Sequence, residues 1–335
     1  MCAIHSTAND ALEQIGLADA PPSGIEAMTR AGAILGEGGR RLRFPRALID
    51  DTVARANRAI PLHGRDPRHD MQLSGNRVHY GTAGAAVHLV DVATRDYREC
   101  TVQDLHDAAR IADALDNIHF VQRPMVCRDI ADNREMDLNT LYACCVATTK
   151  HVVVSFTEAD FAHDTKEMLH LIAGGEDKWR TRPFVSNSRC FVVPPMKFAH
   201  DACLVMEECI RGGMPVLLLS AGQAGAIVQA MAECLAGLVY VNAMKPGQPA
   251  IFGTWPFVSD LRTGAMLGGS GEQALLSAGC AQMHKFHGLP GGAVGGLEVD
   301  EDTSSLEVIR TDCIGGPGHY LGAGQALARM QTDHL

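Results

Sequence analysis

From residue 118 onward the chain repeats one unit, a short continuous apolar run followed by an amphipathic stretch. The runs are 118–126, 151–156, 184–193, 214–220, 248–254 and 289–294, and the amphipathic stretches include 136–149, 160–173, 195–212, 227–243 and 272–287. A strand that is apolar along its whole length is buried on both faces, which requires a parallel sheet covered by helices. Serial repetition of such units favours a (βα)8 TIM barrel over an open sheet. No G-x-G-x-x-G follows the first strand, so the main signal of a dinucleotide-binding sheet is missing. A length of 335 residues accommodates one barrel with an extension. Six units are legible, where a barrel of this kind needs eight.

The N-terminal part reads differently. Apolar residues at helical spacing predict helices over 7–15, 24–35 and 45–59, the third with Pro45 at its start. Short runs at 76–80, 86–90 and 97–100, separated by Gly and Asp, predict β-hairpins. Residues 101–117 predict a helix with Thr101 as N-cap and Asp104 at the capping-box position. The expected organisation is an N-terminal helical and β-hairpin extension over 1–117 and an α/β barrel over 118–335.

Composition narrows the function classes. Lys and Arg total 29 against 39 Asp and Glu, a formal charge of −10. No basic run is present to meet phosphates, so a nucleic-acid role is not expected. No apolar stretch reaches the ~18 residues of a membrane span, and the first residues lack a secretory pattern. Eleven scattered cysteines fit buried thiols in a reducing cytoplasm. Two places break the rhythm. The glycine loop at 221–226 runs into an apolar helix without an N-cap, and the glycine run at 291–296 meets an acidic polar tail. If chain segments were omitted there, the Cα separations at 226–227 and 296–297 would exceed about 3.8 Å.

Several stretches carry a resemblance. They are KPGQPAIFGTWPFVSDLR at 245–262, TGAMLGGSGEQALLSAGCAQMHKFHGLP at 263–290 and GGPGHYLGAGQALARMQT at 315–332, with GRRLRFPRALI at 39–49, DVATRDYR at 91–98 and MAECLAGL at 231–238. In order and over almost the whole chain, these blocks resemble the trimethylamine methyltransferase (MttB) superfamily. The resemblance implies a (βα)8 barrel that moves a methyl group from a tertiary or quaternary amine to the cobalt of a separate corrinoid protein. It implies no cofactor bound by the chain itself. It also implies a homo-oligomer, for which protruding hairpins within 76–100 would serve as the contact. The segment after residue 296, where pyrrolysine sits in the trimethylamine enzymes, is absent here. The rest is similar to the branch that lacks pyrrolysine and acts on quaternary amines such as glycine betaine.

A quaternary ammonium offers no N–H, so aromatic faces must hold it, at ~0.5–2 kcal/mol each. Barrel active sites lie at the C-terminal ends of the strands. That rule selects Phe156, Phe191, Phe252, Trp255 and Phe257. For Phe156, Phe191 and Phe252 filling the core is the simpler role, while Trp255 and Phe257 fit either role. A betaine carboxylate needs a partner as well. Arg262 is the first choice, followed by Gln223 with the backbone of the 222–226 loop. Arg123, Arg128 and Arg189 are alternatives, for which pairing with a nearby acid is the simpler role. No catalytic acid or base is identified. Loss of methyl from a quaternary amine releases a neutral amine and requires none. His284 and His287 stand three apart on one helix without a third ligand, so no metal site is expected. Two other readings remain: a non-catalytic barrel that binds quaternary amines, and an unrelated TIM-barrel lyase or hydrolase.

Overall fold

A computed structural model of the chain describes residues 1–84, 86–193, 196–223, 227–257, 271–295 and 311–315. Its centre is a curled sheet. The strands are β1 (Val78–Thr82), β2 (Phe120–Gln122), β3 (His151–Val154), β4 (Val185–Cys190), β5 (Val216–Gln223), β6 (Ala250–Phe257), β7 (Gly291–Gly295) and β8 (Thr311–Gly315). The first seven pair in chain order and all run parallel. β8 pairs antiparallel with both β7 and β1.

The described architecture is therefore mixed α/β with a mostly parallel, curled sheet, and it differs from eight successive βα repeats. All six expected apolar runs form parallel strands. The seventh parallel strand comes from the extension, from the first of the three runs expected to form β-hairpins. The structure instead inserts Val78–Thr82 beside β2, through Gly81 opposite Phe120. A Cβ on Gly81 would stand 2.3 Å from the Phe120 ring, so only glycine lets the backbone lie on that ring. The hairpin that does form pairs His88–Val90 with Tyr97–Glu99.

Helices α1 (Cys2–Asp10), α2 (Pro22–Ala31) and α3 (Arg46–Arg55) form the extension. Next come α4 (Val102–Ala114), α5 (Asn133–Ala147), α6 (Ala159–Ala173), α7 (Glu176–Thr181), α8 (His200–Arg211), α9 (Ile227–Met244) and α10 (Gly271–His287). The expected capping box opens α4, with the Thr101 hydroxyl and Asp104 carboxylate each accepting from the other's backbone N–H. Among the described residues one helix, α9, is long and apolar enough to cross a membrane, and most of it is buried inside the protein. It is the core helix against which α1, α2 and α3 pack. A buried carboxylate fastens the extension there: Glu207 of α8 accepts from Ser23 at 2.8 Å, Tyr240 at 2.5 Å and Arg211 at 2.6 Å.

The sheet has two different faces. Val152, Val154, Val185, Val216, Leu218 and Phe252 point outward into the helix-facing core. Phe120, Val153, Leu217 and Ile251 point inward, where they meet Ile60, Leu62, Met71 and Leu73. The latter four lie on a hairpin of Ile60–Leu62 and Met71–Leu73 that fills the interior of the curl.

Candidate active site

Strand alternation decides which rim residues look inward. On β6, Trp255 lies four residues beyond Ile251 and shares its inward face, at the C-terminal end of the strand. It is half-buried. In the register, Ala221 stands opposite Trp255, and Gln223 stands opposite Phe257. The structure thus brings the backbone of three expected site residues together at the ends of β5 and β6.

The other aromatics are placed elsewhere. Phe252 points outward, with the His284 and His287 rings of α10 at 5.6 and 6.4 Å. Phe191 is buried beside Phe198 and touches the position where a Gly237 Cβ would stand. Phe156 is buried in the same helix-facing core. All three rings are buried in the helix-facing core. Arg262 lies outside the described residues. So do the 224–226 loop, the junctions at 226–227 and 296–297, and residues 296–310 and 316–335. His284 and His287 are buried against Phe252, and burial lowers the pKa of both, to about 3 and about 4. Among the described residues no cluster of His, Cys, Asp and Glu is arranged for a metal ion.

Around the rim, charges sit behind the strands rather than inside them. Arg123, just past β2, donates to the buried Asp137 of α5 at 3.4 Å and to Thr140 at 3.2 Å. Asp137 also accepts the backbone N–H of Thr157 at 2.6 Å. Arg189 of β4 donates to the carbonyl oxygens of Phe156 and Thr157, and burial lowers its pKa although Asp137 works against the shift. Arg128 is exposed. On the far side, Glu233 of α9 accepts from Ser220 at 2.6 Å and from Gln229 at 2.8 Å. Burial raises its pKa against those two hydrogen bonds.

Inward-facing polar residues escaped the sequence reading. Gln122 is the register partner of Val153, and Ser188 that of Leu217, so both share the interior face. A cavity of about 780 Å³ lies at the opposite end, lined by Thr149 and Phe184 just before β3 and β4 begin. Parallel barrels carry their chemistry at the other rim, so this cavity is not the reaction site.

The match to the family model described as trimethylamine methyltransferase (MTTB) covers residues 1–297. The chain belongs to the trimethylamine methyltransferase family. Within that family it is 29% identical to the trimethylamine methyltransferase of Desulfitobacterium hafniense strain DCB-2, over 99% of this chain and 70% of that protein. It is 27% identical to a trimethylamine methyltransferase of Methanosarcina mazei, over 96% of this chain and 69% of the relative. It is also 27% identical to the glycine betaine methyltransferase of Desulfitobacterium hafniense strain Y51, over 88% of this chain and 62% of that enzyme.

Proposed function

We propose that this protein is a methyltransferase that takes a methyl group from a quaternary or tertiary amine, glycine betaine or a close analogue, and passes it to the cobalt of a partner corrinoid protein. The observation that carries this reading is the family match over 1–297. The glycine betaine methyltransferase among its relatives and the inward-facing Trp255 at the C-terminal rim support the choice of substrate. The finer architecture we infer is the family's (βα)8 barrel, with the seven parallel strands as its body. Ten described cysteines are free thiols, which supports a reducing cytoplasm as the working compartment. Assembly as a homo-oligomer belongs to the same reading, with the exposed Val92 and Tyr97 of the protruding hairpin as its contact.

The corrinoid is the second substrate, the methyl acceptor, and its reduced cobalt supplies the electron pair for the new carbon–cobalt bond. The carbon–nitrogen bond breaks, and its electron pair stays on the departing amine. A quaternary nitrogen leaves as a neutral tertiary amine, so no acid is needed at the rim. The protein's work is to hold the cation on an aromatic face, aim one methyl outward and keep water away. Trp255 supplies the face. The hairpin that fills the lower interior confines the substrate to the mouth.

Mixing the protein with a reduced corrinoid protein and a panel of methylated amines tests this reading. The expected result is the absorbance of methylated cobalt with at least one quaternary amine. Binding of amines without methylation of any corrinoid protein would favour a non-catalytic binding barrel.

A further inference from the structure

The interior face at the C-terminal end of the sheet is aromatic on β6 and polar on β2 and β4. Gln122 is 7% exposed and Ser188 8% exposed. Among the described residues, neither side chain has a hydrogen-bond partner, whereas the neighbouring inward Ser186 is bonded to His151. Neither polar group is fully enclosed, so water can meet it when no ligand does. A ligand entering the mouth can take the place of that water. Space for the Gln122 amide is reserved: a Cβ on Gly84 would lie 3.0 Å from its Nε2.

The sequence context repeats. Each of these two residues is followed by an arginine, Arg123 and Arg189, on the opposite face of the strand. The two guanidiniums share one buried carboxylate, Asp137. Asp201, exposed to solvent, also acts on Arg189, so the positive charge behind the polar wall is only partly offset. Among the described residues of β2, β3 and β4, no acidic side chain faces inward. A buried amide and hydroxyl backed by net positive charge suit a carboxylate.

Resting on the amine reading above, we infer that Gln122 and Ser188 form the specificity wall of the site. They donate to a carboxylate carried one or two carbons from the quaternary nitrogen, while Trp255 holds the nitrogen. The substrate is then a zwitterionic betaine. Cations without a carboxylate, such as choline and tetramethylammonium, meet the same aromatic face but leave the wall unsatisfied. This assigns carboxylate recognition to β2 and β4, where the sequence had pointed to Arg262 and Gln223.

Calorimetric binding of glycine betaine, choline and tetramethylammonium to the wild-type protein and two variants tests the inference. The wild type is expected to bind glycine betaine at least about tenfold more tightly than choline. Gln122→Glu keeps the side-chain size and places an anion on the wall. It is expected to weaken glycine betaine by more than about tenfold and to leave tetramethylammonium unchanged or tighter. Ser188→Ala is expected to weaken glycine betaine by about fivefold without affecting tetramethylammonium. Equal losses for all three ligands, unchanged glycine betaine affinity in both variants, or a wild type that prefers tetramethylammonium would overturn the wall while leaving the amine reading intact. A wild type that binds none of the three would overturn the amine reading itself.

Discussion

Ser220 donates a 2.6 Å hydrogen bond to the buried carboxyl group of Glu233, tying the C-terminal half of β5 to the first turns of α9. Burial holds this carboxyl group above its ordinary pKa of 4.5. A group raised on folding contributes its stability below the unfolded pKa and loses it as pH rises through the folded pKa. Chemical denaturation of the wild type is therefore expected to show stability falling as pH rises above 4.5 from this group, and Glu233→Gln is expected to remove that slope. A variant that keeps the same pH dependence would show that Glu233 is ionised when folded.

Lys150 is buried at the start of β3, and its ammonium group donates to the carbonyls of Ala112 and Leu115 at 2.7 Å each. These are carbonyl groups at the C-terminal end of α4, where a cation is favoured. Lys150→Met fits the same space but removes both ammonium hydrogen bonds, leaving each carbonyl with one backbone N–H alone, from Leu115 and Ile118. The expected loss is about 2–4 kcal/mol in urea unfolding.

His151 is fully buried, with Nδ1 2.8 Å from the His63 carbonyl and Nε2 2.9 Å from the Ser186 hydroxyl. Burial pushes its pKa from 6.5 down to about 4. Stability from a neutral buried histidine is present above 6.5 and is lost as pH falls toward 4. Between pH 6.5 and 5 the wild type is expected to lose roughly 1.5 kcal/mol through this group. His151→Gln is expected to flatten that part of the profile.

Gly237 of α9 lies flat on the sheet. A Cβ there would stand 2.5 Å from the Phe191 ring and 3.2 Å from Leu218. Gly237→Ala is expected to cost about 1–3 kcal/mol in thermal or urea unfolding through overpacking. A neutral result would show that Phe191 can turn aside.

The six apolar runs were legible because a strand buried on both faces has nothing polar to interrupt it. The strand Val78–Thr82 was legible only as a short β run, and its place in the sheet was not, since VHYGT carries no apolar run and owes that place to the fit of Gly81 on Phe120. The aromatics show the same limit at the site. In a strand buried on both faces, apolar character does not reveal which residues look inward. The sequence favours a core role for Phe252 and leaves Trp255 open; in the structure Phe252 faces α10 and Trp255 shares the inward face of Ile251. Gln122 and Ser188 were not singled out in the sequence. The signal that could have singled them out is a polar residue inside a buried run, followed each time by arginine.

Trp255→Ala tests the aromatic face by itself. Removing the ring is expected to weaken glycine betaine and tetramethylammonium together, by about tenfold. Loss of one ligand alone would place Trp255 on the carboxylate rather than the nitrogen.

The most direct measurement follows a labelled methyl group. Glycine betaine carrying carbon-13 in its methyl groups is incubated with this protein and a reduced corrinoid protein, and the label is traced by nuclear magnetic resonance. The account predicts one labelled methyl group on cobalt for each dimethylglycine released, and no transfer when this protein is omitted. Label that stays entirely in the amine, while the protein binds glycine betaine, would contradict it.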